Sequence, residues 1–411
     1  MMSGCLPMGA GTARFLSEGM KHMTIRLYNQ DSALLDFTAT VTGCTEKKDR
    51  YVVTLDRTAF FPEGGGQGAD HGTLGSAQVT DCHEAGGEVE HTVDRPLEVG
   101  AVVEGHVDAA RRLDMMQQHS GEHIFSGLVC RLFGYDNVGF HIGSEAVTMD
   151  FNGPLTQEDI ARVEAMANEV VWQNVPVETL LPSRDELETM HYRSKKALEG
   201  EVRIVNIPGA DTCACCGTHV KRTGSIGQIK VLGWQKYKSG VRVSILCGRR
   251  ALAEENALLE QVKGGSVALS CKQHEVAQAV QHLIAERDQL RFRAEQLGLQ
   301  IFELIAAGEA ANAVRMVVCD ALPAGAVRKA AGKLCQGARL GLVLAPREEG
   351  YSFALSSETE DVRPVTRALC AAFGGKGGGP KDMTQGVLAG GTPEEIRAVL
   401  ETEGDDRAAA L

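Results

Sequence analysis

The sequence contains no run of 18 apolar residues, and its first 25 residues lack the hydrophobic core of a secretory signal. Neither a membrane-spanning helix nor a secreted protein is therefore expected. The bias of a disordered chain is also missing, because hydrophobic residues make up 43% of the 411 residues and charged residues 23%. Twelve cysteines without a signal peptide predict a cytoplasmic protein, in which cysteines bind metal more readily than they form disulfides.

Acidic residues outnumber basic ones, 54 against 42, which gives a net charge of −12. A chain of this charge is not a typical nucleic-acid binder. Residues 191–250 differ, because they hold 12 basic and 3 acidic residues and so carry a local charge of +9. Such a segment can bind a polyanion through its local field, or it can be an ordinary solvated surface. The charge count leaves both readings open.

The pattern of apolar residues predicts an α+β fold. Between Asp36 and Val107, short strand-like runs alternate with turn residues, which predicts a small antiparallel β-barrel. Predicted helices from Asp108 to Gly134 and from Thr156 to Trp172 then alternate with strand-like hairpins. We predict five segments: an N-terminal extension (1–22), the barrel (23–110), an α+β core (111–250), a helical linker (251–308) and a C-terminal α/β domain (309–411).

The helical linker carries an apolar seam with a seven-residue spacing. This spacing is typical of a coiled-coil-like arm, formed within one chain or between two, whereas an amphipathic helix packed on its own domain is the alternative. Ser270 and Gln273 resemble a capping box at its start. Further on, residues 373–383 are predicted to form a loop with five glycines around two lysines. The members of the seam are Val276, Leu283, Leu290, Leu297 and Leu304.

Two pairs of potential metal ligands share the spacing i, i+4. His119 and His123 lie in QQHSGEHIF on a predicted helix, where this spacing places both imidazoles on one face. Cys215 and His219 repeat the spacing in CACCGTHV. Three nitrogens and one thiolate suit tetrahedral Zn²⁺, so we predict one zinc ion per chain. The spacing leaves open whether this ion is structural or catalytic.

The first motif also permits an enzymatic alternative. HSGEH fits the zinc-peptidase signature H-x-x-E-H, in which Glu122 would activate a water molecule and a downstream acid would be the third ligand. This alternative leaves CACCGTH unexplained. Cys213 and Cys216 compete with Cys215 as the thiolate ligand, and we prefer Cys215 because its spacing to His219 repeats that of the first pair.

Residues 60–72, FFPEGGGQGADHG, are rich in glycine but lack the Gly-Lys-Ser/Thr ending of a phosphate-binding loop. Glycines permit positive φ angles and let the backbone approach a ligand closely. A tight turn of the barrel explains the same composition. The composition therefore fits both a ligand-binding loop and a tight barrel turn.

Four motifs occur in an order that resembles the editing half of alanyl-tRNA synthetase. They are FFPEGGGQGADHGTL, HSGEH, CCGTHVKRTGSIG and FGGKGGGPKDM. The arrangement over residues 24–390 is most similar to the freestanding AlaX-type alanyl-tRNA editing proteins in their long form. The HxxxH and CxxxH pairs are shared with threonyl-tRNA synthetase editing domains, whereas the two glycine-rich motifs favour the alanine branch. No class II aminoacylation core precedes them, so the chain is not expected to charge tRNA.

The resemblance implies roles for particular residues. It places the zinc ligands on His119, His123, Cys215 and His219, as the spacing does. It also implies that the glycine-rich loop lines the editing pocket and that two C-terminal lysines contact tRNA. These substrate-binding residues are Gly64, Gly65, Gly66, Gln67, Lys376 and Lys381.

Two positions depart from the synthetase pattern. Glu122 stands where synthetases usually have threonine, and His141 stands where a pocket glutamine is typical. Both become candidate catalytic residues that orient water or substrate. A hairpin histidine without a catalytic role is the alternative for His141.

The implied activity is ATP-independent hydrolysis of the ester that joins a wrong amino acid to tRNA(Ala). Serine is the expected principal target and glycine the second. A pocket that hydrogen-bonds the serine hydroxyl rejects alanine, because an unpaired buried polar group costs about 1–3 kcal/mol. The implied partner is mischarged tRNA(Ala), with no membrane and with a homodimer formed through the linker or the C-terminal domain. A non-catalytic tRNA-binding protein with a structural zinc is the remaining alternative.

Overall fold

The computed structural model describes residues 23–194, 202–308, 313–320, 322 and 324–408. The predicted N-terminal extension, residues 1–22, lies outside these ranges. Among the described residues, no helix combines the length and apolarity that crossing a membrane requires. The chain divides into two compact units, Met1–Gln261 and Val262–Leu411. Helices and sheets occur in both, which confirms the α+β class, while the finer division into five segments stays a prediction.

The first part of unit 1 is a closed six-stranded barrel, in the order β2-β3-β7-β6-β5-β8. Burial alternates along its strands, as in β7, where every second residue faces the apolar interior. A short parallel pair, β1 and β4, and helix α1 lie beside it. The elements are β1 (Ile25–Arg26), α1 (Leu27–Gln30), β2 (Asp36–Lys47), β3 (Arg50–Leu55), β4 (Arg57–Thr58), β5 (Gly72–Leu74), β6 (Ala77–Ala85), β7 (Glu88–Val93) and β8 (Val102–Val107).

The second part of unit 1 is built around one long, buried helix, α2 (Ala109–Phe133). Asp108 begins it by accepting hydrogen bonds from two backbone N–H groups, and Gly134 ends it in a left-handed conformation. Helix α3 (Gln157–Gln173) begins with a capping box formed by Thr156 and Asp159. The predicted helices are therefore confirmed at these ends.

Two sheets complete this part of unit 1. The four-stranded sheet has the order β14-β15-β10-β9 and contains both predicted hairpins. The three-stranded sheet has the order β11-β12-β13, and the segment CCGTH follows its last strand. The remaining elements are β9 (Asn137–Ile142), β10 (Val147–Phe151), β11 (Glu178–Leu180), α4 (Arg184–Thr189), β12 (Ile204–Ile207), β13 (Asp211–Ala214), β14 (Ile229–Tyr237) and β15 (Gly240–Cys247).

The helical linker consists of α5 (Gly248–Ala268) and α6 (Val276–Gly308). The cap prediction at Ser270 is wrong, because Ser270 lies in the turn between the helices with φ 51°. The next helical turn begins after Lys272, whose backbone N–H donates a hydrogen bond to the Glu275 carboxylate. One face of α6, at Leu299 and Phe302, packs on helix α7 of the C-terminal domain. The predicted seam lies on another face, where its leucines are more than half exposed.

The C-terminal part of unit 2 is a five-stranded sheet with the order β16-β17-β18-β20-β19. Strands β16 and β17 are parallel and joined through α7, and the other neighbours are antiparallel. The loop prediction for residues 373–383 is wrong in part, because Gly375–Gly378 pair as an edge strand. The elements are β16 (Val314–Val318), α7 (Ala324–Leu334), β17 (Leu340–Pro346), β18 (Tyr351–Ser356), α8 (Arg363–Phe373), β19 (Gly375–Gly378), β20 (Met383–Leu388) and α9 (Pro393–Ala408).

Candidate metal centre

Four predicted ligands meet between helix α2 and the loop after β13. His119 and His123 leave one face of α2 one turn apart, and their ring centroids lie 5.2 Å apart. The Cys215 Sγ lies 3.4 Å from the Nε2 atoms of both His119 and His219. One nitrogen or sulfur atom from each of the four residues lies within 4.8 Å of the others. The structure therefore brings the whole predicted set together.

Each of the three imidazoles has a polar partner at its Nδ1 atom. The Nδ1 atom of His119 lies 2.8 Å from the Gln67 Oε1, and that of His123 lies 2.8 Å from the Asp211 Oδ2. The His219 Nδ1 lies 3.2 Å from the Ser120 hydroxyl. A partner at Nδ1 fixes the ring orientation and leaves Nε2 for a metal, as is usual for metal-binding histidines.

These outer partners are themselves fixed. Arg193 donates two hydrogen bonds, 2.7 and 2.8 Å long, to the carboxylate of Asp211. Burial raises the pKa of Asp211, but its bonds to His123 and Arg193 outweigh burial and lower it. The amide of Gln67 donates to the Thr218 hydroxyl at 2.9 Å. The imidazoles are thus oriented by a connected polar network that spans distant parts of the chain.

The electrostatics favour the metal-binding forms of two ligands, Cys215 and His219. Burial alone would raise the pKa of the Cys215 thiol, yet the three imidazoles hold it well below its usual range, which favours the thiolate. Burial lowers the pKa of His219 to about 3 and so keeps this imidazole neutral. Burial also acts to lower the pKa of His123, but Cys215 and Asp211 raise it well above its usual value, so this imidazole must give up a proton when it binds a metal. Thiolate and neutral imidazole are the forms that bind zinc.

The competing cysteines are placed differently. The buried Cys213 forms a second potential three-ligand group with His123 and Asp211. Cys216 is exposed and belongs to none of the potential metal groups found among the described residues. Only the set with Cys215 supplies four ligands among these groups, so its donor chemistry fits Zn²⁺ best.

The glycine-rich loop forms a tight turn against this set. Gly64 and Gln67 exchange two backbone hydrogen bonds of 3.0 Å, and Gly65 and Gly66 both have positive φ angles. A Cβ atom on Gly66 would lie 2.6 Å from a ring carbon of Phe140, whose ring centroid is 5.1 Å from that of His119. The turn and Phe140 thus pack together at the His119 edge of the set.

A second close approach occurs at Gly217, between the ligands Cys215 and His219. A Cβ atom there would lie 2.2 Å from Cε1 of His119. The Gly217 N–H also donates to the Cys215 sulfur at 3.3 Å. Glycine at this position therefore lets the loop close over the helix and places a donor next to the thiolate.

Helix α2 is anchored to the barrel through a fully buried ion pair. Arg112 contacts the carboxylate of Asp70 and also donates to the carbonyl oxygens of Ser32 and Ala59. Asp70 in turn accepts from the Phe61 N–H at 2.7 Å. This network fixes the segment that carries Gln67 relative to the helix that carries His119.

Glu122, a predicted catalytic residue, is fully buried next to the ligand set. Its Oε1 accepts hydrogen bonds from Ser126 at 2.7 Å and from Asn137 at 2.6 Å, which ties α2 to β9. Its Oε2 lies 4.0 Å from the His123 Nε2. Glu122 is therefore close to the ligands, and its catalytic role stays a prediction.

The other predicted residues lie elsewhere. His141 is exposed on β9, and because successive strand residues face opposite sides, it points away from the side on which Phe140 meets His119. Lys376 and Lys381 are exposed in unit 2, so they belong to a different unit from the ligand set. Their roles also stay predictions.

The sequence did not reveal three residues that help to position the ligands: Asp211, Ser120 and Asp70. Ser120 could have been noticed because it lies between the two helical histidines. Asp211 follows a strand-like run and precedes the cysteine-rich segment, which is a weaker signal. Nothing local marks Asp70, because its partner Arg112 is 42 residues away.

The basic segment, residues 191–250, presents less positive charge to solvent than its number of basic residues suggests. Carboxylates from other segments lie against several of its side chains and reduce the local field. These ion pairs are Lys221–Asp31, Lys230–Glu164, Arg242–Asp150 and Arg250–Asp114.

Two protein families match parts of this chain, and several known proteins are similar to it. The family described as "Threonyl and Alanyl tRNA synthetase second additional domain" matches residues 202–244, and "tRNA synthetases class II (A)" matches residues 16–111. The alanyl-tRNA editing protein AlaX-L of Pyrococcus horikoshii is 28% identical over 91% of this chain and 96% of its own length. The predicted resemblance is thereby confirmed.

Two further relatives show different coverage. The alanine–tRNA ligase of Thermofilum pendens is 34% identical over 88% of this chain, which spans only 42% of that ligase. The alanyl-tRNA editing protein Aarsd1 of Mus musculus is 32% identical over 58% of this chain and 64% of its own length. The chain thus spans about two fifths of the Thermofilum pendens ligase and nearly all of AlaX-L.

Proposed function

We propose that this chain is an aminoacyl-tRNA hydrolase that removes a wrong amino acid from tRNA(Ala). The observation that carries the proposal is the convergence of His119, His123, Cys215 and His219 beside the glycine-rich turn. The similarity to AlaX-L, a protein named for alanyl-tRNA editing, supports the same conclusion over 96% of that protein. Ester hydrolysis consumes one water molecule and is favourable by itself, so it needs no ATP.

One zinc ion per chain is part of the proposal. Its ligands would be the Nε2 atoms of the three histidines and the Cys215 thiolate, and when bound it would supply positive charge and a fixed template for the aminoacyl end. The set of four protein ligands favours the template role over activation of water.

The chain's own residues would orient and shield the reacting ester. Gln67, Asp211 and Ser120 hold the three imidazoles, and the glycine-rich turn with Phe140 limits solvent at His119. In hydrolysis, the water oxygen bonds to the ester carbon, the bond to the ribose oxygen breaks, and that oxygen takes up a proton. Prepositioned groups favour such a step because they cost no reorganisation when charge develops.

We propose serine as the principal amino acid removed and glycine as the second. A site that hydrogen-bonds the serine hydroxyl disfavours alanine, which leaves the same polar group unpaired at a cost of about 1–3 kcal/mol. Alanine attached to its own tRNA would thereby be retained.

Other parts of the chain would hold the tRNA. We assign acceptor-stem contacts to the basic segment 191–250 and more distant phosphate contacts to the exposed Lys376 and Lys381. The exposed seam of α6 supports pairing of two chains, because leucines at seven-residue spacing bury their side chains in a coiled coil. The five-segment division, with a tRNA-binding C-terminal domain, belongs to this proposal.

Two alternatives give different results in the same assays. A zinc peptidase would use Glu122 as a base, but the Oε1 of Glu122 is already bonded to Ser126 and Asn137 within the core. Cleavage of peptides without hydrolysis of tRNA would establish it. A non-catalytic binding protein would bind tRNA(Ala) and leave the seryl ester intact.

The direct test uses the full chain with Ser-, Gly- and Ala-tRNA(Ala) as separate substrates. We expect rapid release of serine, slower release of glycine and little release of alanine, with loss of activity after treatment with a zinc chelator. Equal release from all three substrates, or from none, would contradict the proposal.

A further inference from the structure

A cavity of about 460 Å³ opens at the C-terminal end of helix α3. Its lining includes Trp172 and Asn174 from that end of the helix, and Arg222 and Ser225 from the segment KRTGSIG. This cavity is shallow and largely open to solvent, and its lining combines an aromatic surface with a few polar groups, as ligand sites do. None of these four side chains belongs to the metal-ligand set.

Trp172 is the unusual feature of this cavity. Its side chain is 67% exposed, although tryptophan is highly buried on average, and the preceding Val171 is buried in the core. A large exposed ring next to a concavity offers a flat surface for stacking. The other tryptophan, Trp234, is 43% exposed on the edge strand β14 and does not line this cavity.

Arg222 gives the cavity a positive charge in a fixed position. Its guanidinium donates to the carbonyl oxygen of Asn174, which holds the group beside the end of α3. Ser225 also lines the cavity, whereas the preceding Lys221 is paired with Asp31. An anionic group with hydrogen-bond acceptors is the complement of this lining.

The cavity is near the metal-ligand set along the chain. Arg222 follows the ligand His219 by three residues, so their Cα atoms are at most about 11 Å apart. A molecule whose reacting ester lies at the metal ligands could therefore place a neighbouring group in the cavity.

We propose that this cavity binds an unpaired nucleotide of the RNA substrate, close to its aminoacylated end. The base stacks on Trp172, and a backbone phosphate contacts Arg222. Stacking on aromatic rings and on arginine is the usual means by which proteins bind unpaired bases, and it tolerates different base identities. The inference rests on the proposed tRNA substrate and adds a contact outside the metal centre.

The first test uses tryptophan fluorescence, because the chain has only two tryptophans. The full-length variant Trp234→Phe leaves Trp172 as the only reporter, and Trp172→Phe leaves Trp234. We expect a single-stranded oligomer of five adenylates to quench Trp172 to saturation, with a smaller change at Trp234. A blunt RNA duplex should quench Trp172 less than the single strand does.

Adenosine monophosphate distinguishes a free nucleotide from RNA in this assay. Weak quenching by the monophosphate, at concentrations far above those of the oligomer, agrees with the proposal. Quenching by the monophosphate alone would overturn the assignment to RNA, and so would a Trp234 response equal to that of Trp172.

The second test measures deacylation of Ser-tRNA(Ala). We expect Trp172→Ala and Trp172→Leu to raise KM about tenfold with kcat unchanged, because stacking stabilises substrate and transition state equally. Trp172→Phe, which keeps a ring, should stay within about threefold of the wild type. Equal KM values for the Leu and Phe variants would contradict stacking, and so would a fall in kcat.

Failure of this inference can be separated from failure of the proposed function. If the wild type hydrolyses no mischarged tRNA, the proposed function falls, whereas the fluorescence assay still tests the nucleotide site. If hydrolysis is normal but Trp172 neither responds to RNA nor affects KM, only the nucleotide site is wrong. Unchanged melting temperatures of the variants would show that the exposed ring is not needed for folding.

Discussion

Two glycine-rich segments of this chain have similar composition and opposite surroundings. Around Gly64–Gln67, two glycines with positive φ angles close a turn whose Gln67 is buried and bonded to His119. Gly375–Gly378 instead form an edge strand in which Lys376 is exposed. The first segment positions a polar site, and the second presents charge to solvent.

The difference shows that glycine content reports backbone freedom and not function. In the first segment that freedom lets a turn pack against Phe140, beside a buried network that reaches Asp211 and Thr218. In the second it lets β19 approach β20 closely, because a Cβ on Gly375 would lie 2.2 Å from the backbone oxygen of Val387. Substitutions in the two regions should therefore have unequal consequences.

The largest expected effect is that of His219→Ala. Removal of one of four ligands should abolish stoichiometric zinc binding and lower deacylation of Ser-tRNA(Ala) at least about 100-fold. Metal content by mass spectrometry and the single-turnover rate measure these two outcomes. Lys376→Ala is the control from the second region and should keep full metal content. A His219→Ala protein with full zinc and full rate would refute the ligand assignment.

A smaller effect on zinc binding is expected from Gly217→Ala. The added methyl group would lie 2.2 Å from His119, so the ring or the loop must shift, and zinc affinity should fall about 10- to 100-fold. Gly378→Ala is the matched control, because a Cβ there meets no atom within 4 Å. Competition with a chelator of known affinity measures both proteins. Equal zinc affinities would show that Gly217 is not needed for close approach.

Asp211→Asn changes a residue that holds the ligand His123 and is itself held by Arg193. The buried carboxylate orients His123 from 2.8 Å, and its loss should weaken zinc binding about tenfold. Asp36→Asn is the control, because Asp36 also contacts a histidine, His106, at 2.7 Å, but both side chains are exposed and neither belongs to a potential metal group among the described residues. Zinc affinity should be unchanged in this control. A similar loss in both variants would mean that burial does not matter.

The smallest effect is expected in the second region. Lys376→Ala and Lys381→Ala should raise KM for Ser-tRNA(Ala) a few-fold, leave kcat unchanged and flatten the dependence of KM on salt. Steady-state kinetics at several ionic strengths measure this. A salt dependence identical to that of the wild type would remove these lysines from the tRNA contact surface.

Local sequence patterns were sufficient for the elements that carry the ligands. The i, i+4 spacing of His119 and His123 needs only a helix, and Asp108 and Gly134 mark its ends. Cys215 was distinguished from its neighbours by its spacing to His219, and the four ligands meet in the structure.

Long-range pairing was beyond the sequence. The side chain of Gln67 contacts His119, 52 residues away, and Thr218, 151 residues away, and neither contact could be read from the sequence. Its role in binding substrate stays a prediction. The charge of +9 in residues 191–250 overstated the exposed field, since acids such as Asp31 and Asp150 come from elsewhere. The loop prediction is wrong at Gly375–Gly378 because glycine is a weak strand former, and this segment becomes a strand only by pairing with β20.

The central claim, that one metal held by His119, His123, Cys215 and His219 is required for editing, has a direct test. Zinc content and hydrolysis of Ser-tRNA(Ala) are measured on one preparation of the full chain before chelation, after chelation and after zinc is restored. We predict one zinc per chain, loss of hydrolysis with the metal and recovery with its return. Full hydrolysis by metal-free protein would contradict the account.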